Sequence, residues 1–515
     1  MRKALSLISS LCAGSKNRLK QFRSNLKRNY DKRNFDSKIY SLLRKYVRSS
    51  WKKELTSTER YLRNLRSSKD GKLFSQGVKD YNKLLASGQR FAEPNHTYFG
   101  WNRHYKEAKE FLVQQFRSLN LRPLQYHNDD DIVKALPKLD THAGFTYIVS
   151  GMKEKGENLE DIFARWTQEV EDAIVDGTFG KPILPAVRTQ GNGHAFEEDG
   201  SFTGDCDHKT RMVSMVDLMV IIAELIFAKP IQDYLATVPW YAGGKDLDGG
   251  VSSIITGMRM KYNEWVSLDY SSFDQSISAW LIHDVFDIIK SAFGVLSPRE
   301  EAIFNLVEHD FIEKDFVFGD EIIHSVRGVP SGSMFTQIVD SVCNVLVIMT
   351  YFYSKSVQGQ MIVMGDDNLI YTVKPIDVSD LADYLKKNFG MTVNSDKTKT
   401  GRAFEPPTFL SCEWWPEGRY REPHEIVAKL LYPEREREYH KGDVHEEEVL
   451  WSYILMYRVA MVKFLNVEQF LADYPKLRRS SLRTLGSQNL PGLLKYLREY
   501  SGGYWSSFKA EQRAA

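Results

Sequence analysis

Apolar positions along this chain fall into short runs, and the spacing within each run predicts strand or helix. The stretch MIVMGDDNLIY, Met361 to Tyr371, reads as strand, tight turn and strand: Ile362, Val363 and Met364 precede Gly365, and Leu369, Ile370 and Tyr371 follow Asn368. Upstream, Trp265 to Leu268 predicts a central strand and AWLIHDVFDIIKSAF the helix after it. TQIVDSVCNVLVIMTYFY predicts a long apolar helix, DVSDLADYLKKNFG a capped amphipathic helix closed by Gly390, and FLSCEWWPEG an apolar segment stopped at Pro416. Nearer the N-terminus, YKEAKEFLVQQF (Tyr105 to Phe116) has helical spacing, KPILPAVRTQ is extended between prolines, and HKTRMVSMVDLMVIIAELIF opens a long apolar element. The order β–α–loop–α–ββ–α–β gives an α+β fold, an antiparallel sheet with helices on one face.

With 515 residues and 42% hydrophobic content the chain can bury a large core and divides into about three domain-sized units. No run approaches the roughly 18 apolar residues of a membrane span, and 12% aromatic content argues against disorder over most of the length. The four cysteines, Cys12, Cys206, Cys343 and Cys412, form no C-x-x-C pair, so neither a disulfide framework nor a zinc site is expected.

The net charge of +2 conceals an asymmetry. Residues 1–50 hold 14 Lys and Arg against Asp31 and Asp36, which leaves the remaining residues at −10. Such a block fits a polyanionic partner, most simply nucleic acid. Its first residues, MRKALSLISSLCAGSK, superficially resemble a targeting segment. Serines interrupt the apolar run, however, and the basic pattern continues to about Arg66, so basic amphipathic helices packed on the body are expected.

Candidate chemistry centres on two pairs of carboxylates. Side-by-side Asp366 and Asp367 on a turn repel each other unless a cation neutralises them, and a divalent metal is the obvious one. Asp269 ends the strand before it, and Asp274, five residues later, is expected at the start of the next helix. Thr336, Asp340 and Asn344 share one face of an otherwise apolar helix at four-residue steps, after a flexible loop of Pro330, Ser331 and Gly332. Their partners would be a bound nucleotide or, alternatively, neighbouring helices. Arg188, Lys209 and Arg211 suit a triphosphate, although scattered surface cations would look the same. In KLDTHAGF, Gly144 beside Ala143 would let the backbone approach a phosphate or a base, or simply make a turn. The charged run PEREREYHKGDVHEEE reads as a solvated loop, with a loop reaching toward the cleft as the alternative; His440 and His445 lack a second ligand pair.

Four ordered motifs, Asp269 with Asp274, Ser331-Gly332 with Thr336, Gly365 to Asp367, and Lys397, make residues 138–415 resemble the viral RNA-dependent RNA polymerases, most of all those of picobirnaviruses and partitiviruses. The resemblance implies a right-hand fold: a basic extension (1–66), fingers (67–250), palm (251–416, with 297–327 returning to the fingers), and a thumb with tail (417–515). It implies that Asp269 and Asp366, with Asp367 beside them, hold two Mg²⁺, for which Mn²⁺ could substitute. Asp274, Ser331, Gly332 and Thr336 would surround the ribose 2′-hydroxyl. Asp340, where many relatives have Asn, and Asn344 would complete that network. Lys397 would be the proton donor for pyrophosphate. Arg188, Lys209 and Arg211 would bind triphosphate, Thr141, Ala143 and Gly144 would lie where template enters, and FLSCEWW would be the primer-grip hairpin. Implied partners are RNA template, nascent RNA and NTPs, with a capsid protein. The resemblance further implies a monomer that replicates and transcribes a viral double-stranded RNA genome in host cytoplasm or virion interior.

Other classes are weighed by the same residues. A reverse transcriptase would usually carry a bulky aromatic near Asp274, a basic RNA-binding or capsid-associated protein would not need the ordered carboxylates, and a nuclease would need no triphosphate grip.

Overall fold

The structure, a computed structural model, describes residues 74–75, 81–125, 129–136, 139, 141–189, 192–193, 210–318, 321–416 and 418–420. The expectations for the basic arm, for Lys209, and for the charged run 433–448 lie outside these residues.

Helix α1 (Arg103–Arg117) contains the helix expected at Tyr105 to Phe116. Asn102 caps it through the His104 and Tyr105 amides, and Tyr105, Ala108, Leu112 and Phe116 form its buried stripe. After α2 (Lys155–Asp176), strands β1 (Leu184–Thr189) and β2 (Thr210–Met215) pair as an antiparallel ribbon. Helix α3 (Leu218–Leu235) follows, capped by Asp217 and buried along most of its length. Strand β3 (Glu264–Ser267) leads to α4 (Ala279–Ser291).

The charged, aromatic stretch from Ser297 to Phe318 is helix α5 (Pro298–Ile312) followed by strand β4 (Lys314–Phe318), which pairs with β5 (Glu321–Ser325). Ser297 and Glu300 make a reciprocal capping box with Pro298 in the first turn, a signature already present in the sequence. This segment leaves the central sheet to pack beside α2 and α3: Asp310 accepts from the Phe179 amide at 2.7 Å, and Phe304 meets Phe227 edge-on.

The long helix α6 (Thr336–Lys355) precedes the hairpin β6 (Gly359–Met364) and β7 (Asp367–Thr372). Helix α7 (Val378–Phe389), capped by Asp377 and closed by Gly390, leads to strand β8 (Lys399–Arg402). The main sheet has the order β8-β3-β7-β6, all antiparallel. Strand β8 was not expected. Its KTGR sequence has no apolar alternation, and as an edge strand it needs none. The apolar segment after it makes a separate hairpin, Phe409 opposite Cys412, rather than joining the main sheet.

Alternation along the strands divides the sheet between two cores. Val266, Leu268, Met361, Val363 and Ile370 face the large core, whereas Trp265, Ile362, Leu369 and Tyr371 face a smaller one with Ile255, Met258, Phe409 and Trp414. The expectation of helices on one face therefore needs correcting: helix Ser252–Lys261 and the Phe409 hairpin cover the other. Burial on both faces is why these strands read as continuous apolar runs. Among the described residues no helix is long and apolar enough to cross a membrane.

Candidate active site

The hairpin tip is Gly365-Asp366, a two-residue turn between paired Met364 and Asp367. Gly365 has φ +65°, which the first central position of such a turn demands and which glycine supplies without strain. Three buried polar side chains fix its backbone. The Gly365 amide donates to Ser341 Oγ at 2.8 Å; Asn344 Nδ2 donates to the Gly365 and Asp366 carbonyls at 3.0 and 3.1 Å; and Asn368 Nδ2 donates to the Asp366 carbonyl at 3.2 Å.

Asn368 also crosses to the neighbouring strand segment, where its Oδ1 accepts the Leu268 amide at 3.0 Å. The register pairs Ile370 with Val266. Continued along both strands, it puts position 367 opposite position 269. Asp269 lies two residues beyond the end of β3 and is half-buried. Its amide donates to Thr398 Oγ1 at 3.2 Å and its carbonyl accepts the Asn394 amide at 2.7 Å, which anchors the turn carrying exposed Lys397.

Asp274 does not begin α4. It sits on a separate helical turn, Phe273–Ser276, because Ser272 adopts φ +55° and Ile277 returns to extended backbone before α4 starts. Its carbonyl accepts the Val329 amide at 2.7 Å, which ties this turn to the loop carrying Ser331. Burial, then the charge of Asp366, push the Asp274 carboxyl up to about 6, while Arg211 draws it back. Asp340 is pushed well above the usual carboxylate range by burial and by Asp274 and Asp366, and its Oδ1 finds no hydrogen-bond partner among the described residues.

The other expected residues occupy different positions from one another in kind. Exposed Ser331 accepts the Ser214 amide at 3.0 Å, and a Cβ on Gly332 would stand 1.8 Å from the Ser214 carbonyl oxygen, so only glycine fits there. Buried Thr336 donates to the Pro330 and Ser333 carbonyls, and Asn344, wholly buried, accepts from Tyr270 and donates to the hairpin; both side chains shape the loop and the turn. Arg188 and Arg211 are exposed and stand directly opposite across the β1–β2 ribbon. Like charges so placed repel, unless an anion lies between them.

Ala143 is fully buried, its carbonyl accepting the Leu218 amide. At Gly144, φ +78°, the close approach is to the chain's own backbone: a Cβ would lie 2.7 Å from Asp217 Cα. Thr141 accepts the Lys155 amide through its carbonyl. Neighbouring His142 is held down to about 4 by burial and by Lys153 and Lys155.

Sequence reasoning passed over Asn368, Ser341 and Thr398. Asn368 did leave a signal, a polar residue inside an apolar strand, and it is 1% exposed. Among the described residues no three His, Cys, Asp or Glu side chains converge closely enough to hold a metal ion. The all-oxygen donors at the tip nevertheless fit a hard divalent cation. The field of Asp366, which raises Asp274, Asp340 and Tyr270 together, is what such a cation would relieve.

A family model described as viral RNA-dependent RNA polymerase matches residues 89–463. The chain is 30% identical over 167 residues to an RNA-directed RNA polymerase of Cryptosporidium parvum virus 1 (strain KSU-1), a match covering 31% of this chain and 31% of that protein. It is 28% identical over 335 residues to the genome polyprotein of Ljunganvirus 1, covering 60% of this chain and 14% of the polyprotein. The match thus spans a minor part of either relative's length. The fold is similar to that of the RNA-dependent RNA polymerase of a human picobirnavirus, with TM-score 0.59 and 16% identity over 96% of this chain and 87% of that one. An insertion loop deletion mutant of such a polymerase gives TM-score 0.61 and 15% identity over 91% and 89%.

Proposed function

This chain belongs to the viral RNA-dependent RNA polymerase family, and from that premise we propose that it extends RNA on an RNA template by nucleotidyl transfer. The observation that carries the reading is the convergence of β3, the β6–β7 tip and the Lys397 turn through Asn368, Asn394 and Thr398. It joins the backbone segments that carry Asp269, Asp366 and Lys397, which lie far apart in sequence.

The family uses divalent metal ions; here we take them to be Mg²⁺, with Mn²⁺ as substitute, held by Asp269 and Asp366 with Asp367 beside them. Two bound ions would make the primer 3′-hydroxyl a better nucleophile and neutralise the departing pyrophosphate. Arg188 and Arg211 spread positive charge along the triphosphate, and Lys209 adds to it. Asp274 accepts from the ribose 2′-hydroxyl, Ser331 contributes its exposed hydroxyl, and Asp340 backs the pocket. Gly332, Thr336 and Asn344 hold the loop and the tip in place. Lys397, beside the Asp269 backbone, supplies a proton to pyrophosphate.

We further take the fingers to be residues 67–250, the palm 251–416 with 297–327 returning to the fingers, and the thumb and tail 417–515. Thr141 lies at the end of the template path. The substrates are RNA and NTPs. The genome is read as viral double-stranded RNA, copied by a monomer in host cytoplasm or inside a virion, where the capsid protein is a partner.

The test is single-nucleotide incorporation on an RNA template with NTPs or dNTPs, with Mg²⁺ or EDTA. Incorporation of NTPs only, abolished by EDTA, is expected. Preference for dNTPs, or template cleavage without incorporation, overturns the reading.

A further inference from the structure

Glu224 is the only charged residue between Leu218 and Ala228 in α3, a stretch otherwise apolar and buried, and it is 2% exposed. A buried carboxylate is costly unless its oxygens are engaged, and an apolar residue would serve the core at least as well. Both oxygens of Glu224 reach the same loop. Oε1 accepts from Ser333 Oγ at 2.7 Å and Oε2 from the Met334 amide at 2.8 Å. Farther along α3, Gln232 donates to the Met334 carbonyl at 2.9 Å, so one helix grips the Met334 residue by its amide and its carbonyl.

The loop's other end rests on β2, the strand that carries Arg211. There the Ser214 amide meets Ser331 Oγ and the Ser214 carbonyl closes on Gly332. Ser331 is therefore held between two anchors on one continuous segment. Three groups bear on Glu224 electrostatically or by hydrogen bonds: Lys155 at the start of α2, Asp310 on α5, and the Ser333–Met334 pair itself. Lys155 is also buried.

Building on the polymerase reading, we propose that Glu224 is a positioning residue. Through Ser333 and Met334 it holds the Pro330–Phe335 loop in the pose that presents Ser331 to the incoming ribose, and it acts best as a carboxylate. It touches no substrate. Its effect on sugar choice passes through the loop, and α3 thereby links the segment bearing Arg211 to the segment bearing Ser331. Burial holds the carboxyl at about 7, against the pull of Met334, Ser333 and Lys155, so it is ionised above that pH and neutral below it.

The experiment measures KM for NTP, kcat, and the NTP-to-dNTP preference for the parent, Glu224→Ala and Glu224→Gln, at about pH 6 and pH 8. Active fractions come from burst titration, so that poor folding does not register as poor catalysis. Glu224→Ala leaves the Met334 amide without its acceptor, and KM should rise roughly tenfold with a several-fold loss of sugar preference. Glu224→Gln keeps the shape without the charge: its KM should exceed the parent's at pH 8 and converge on it at pH 6. Unchanged KM and sugar preference in Glu224→Ala, or a Glu224→Gln to parent ratio that does not vary with pH, overturns the proposal. If Glu224→Ala does not fold, the glutamine ratio alone decides. A parent that incorporates no nucleotide at all brings down the polymerase reading, and this one with it; a parent that polymerises while the variants behave as parent overturns the positioning role alone.

Discussion

Asn368 joins the two acid-bearing segments with one amide side chain, accepting from Leu268 and donating to the Asp366 carbonyl. Replacing it with Ala leaves the buried Leu268 amide unpaired, which costs about 1–3 kcal/mol. Asn368→Ala should therefore unfold at lower urea and incorporate nucleotides at least roughly tenfold more slowly, as the acids lose their relative placement. Wild-type rates in a folded Asn368→Ala protein would contradict this. The acids themselves differ in kind, because on the proposed reading they would bind ions rather than each other's backbone. Asp269→Ala or Asp366→Ala should abolish incorporation while circular dichroism and RNA binding stay those of the parent. Near-normal polymerisation by either variant would remove the assignment. At this scale the sequence was informative about residue types: a Gly-Asp-Asp turn and an acid ending a strand are visible as letters. It was silent on Asn344 and Thr336, whose polar faces could equally have met a ligand or the protein. In the structure Asn344 donates to the hairpin and Thr336 to the Pro330 carbonyl.

Among the elements, the Pro330–Phe335 loop depends on close contact with β2. A Cβ at Gly332 would sit 1.8 Å from a backbone oxygen, so no rotamer change can relieve it. Gly332→Ala should push the loop off the strand, at a cost of about 1–3 kcal/mol, and raise KM for NTP. Gly257→Ala is the control: it lies in helix Ser252–Lys261 with nothing within 4 Å of the added Cβ, and should be neutral or slightly stabilising. A Gly332→Ala melting temperature and KM equal to those of Gly257→Ala would show that the loop yields without consequence. Elements with strong local signals, α1, α6, α7 and the β6–β7 hairpin, were legible because one buried face imposes its period on the sequence. Helix α5 carries a local signal too, its Ser297–Glu300 box, set in a charged stretch that hides its buried face. Strand β8 was not legible, since an edge strand takes its partner from β3 and not from its own composition.

For the whole molecule, charge distribution matters more than its sum. The +12 of residues 1–50 faces a remainder of −10, and a polyanion bound by the arm releases counterions as it binds. Deleting residues 1–50 should weaken RNA binding and flatten its dependence on salt, each lost phosphate contact removing about 0.9 (duplex) or 0.7 (single strand) from the log–log slope. Binding isotherms across a salt series check this, and an unchanged slope would assign the arm to another task.

By itself the sequence determined the strands and helices that bury one clear face, and it offered carboxylates, arginines and a basic arm that suit one kind of chemistry. Those properties follow from local sterics and from hydrophobic period, which act over a few residues. Only the tertiary structure decided which of these groups meet. It set Ile370 across from Val266, put Arg188 opposite Arg211, gave Gly144 to the backbone at Asp217, and turned Glu224 toward Ser333. Each of these pairings joins residues distant in the chain, through strand register and the interlock of side chains in a dense core, and neither is written in any local pattern.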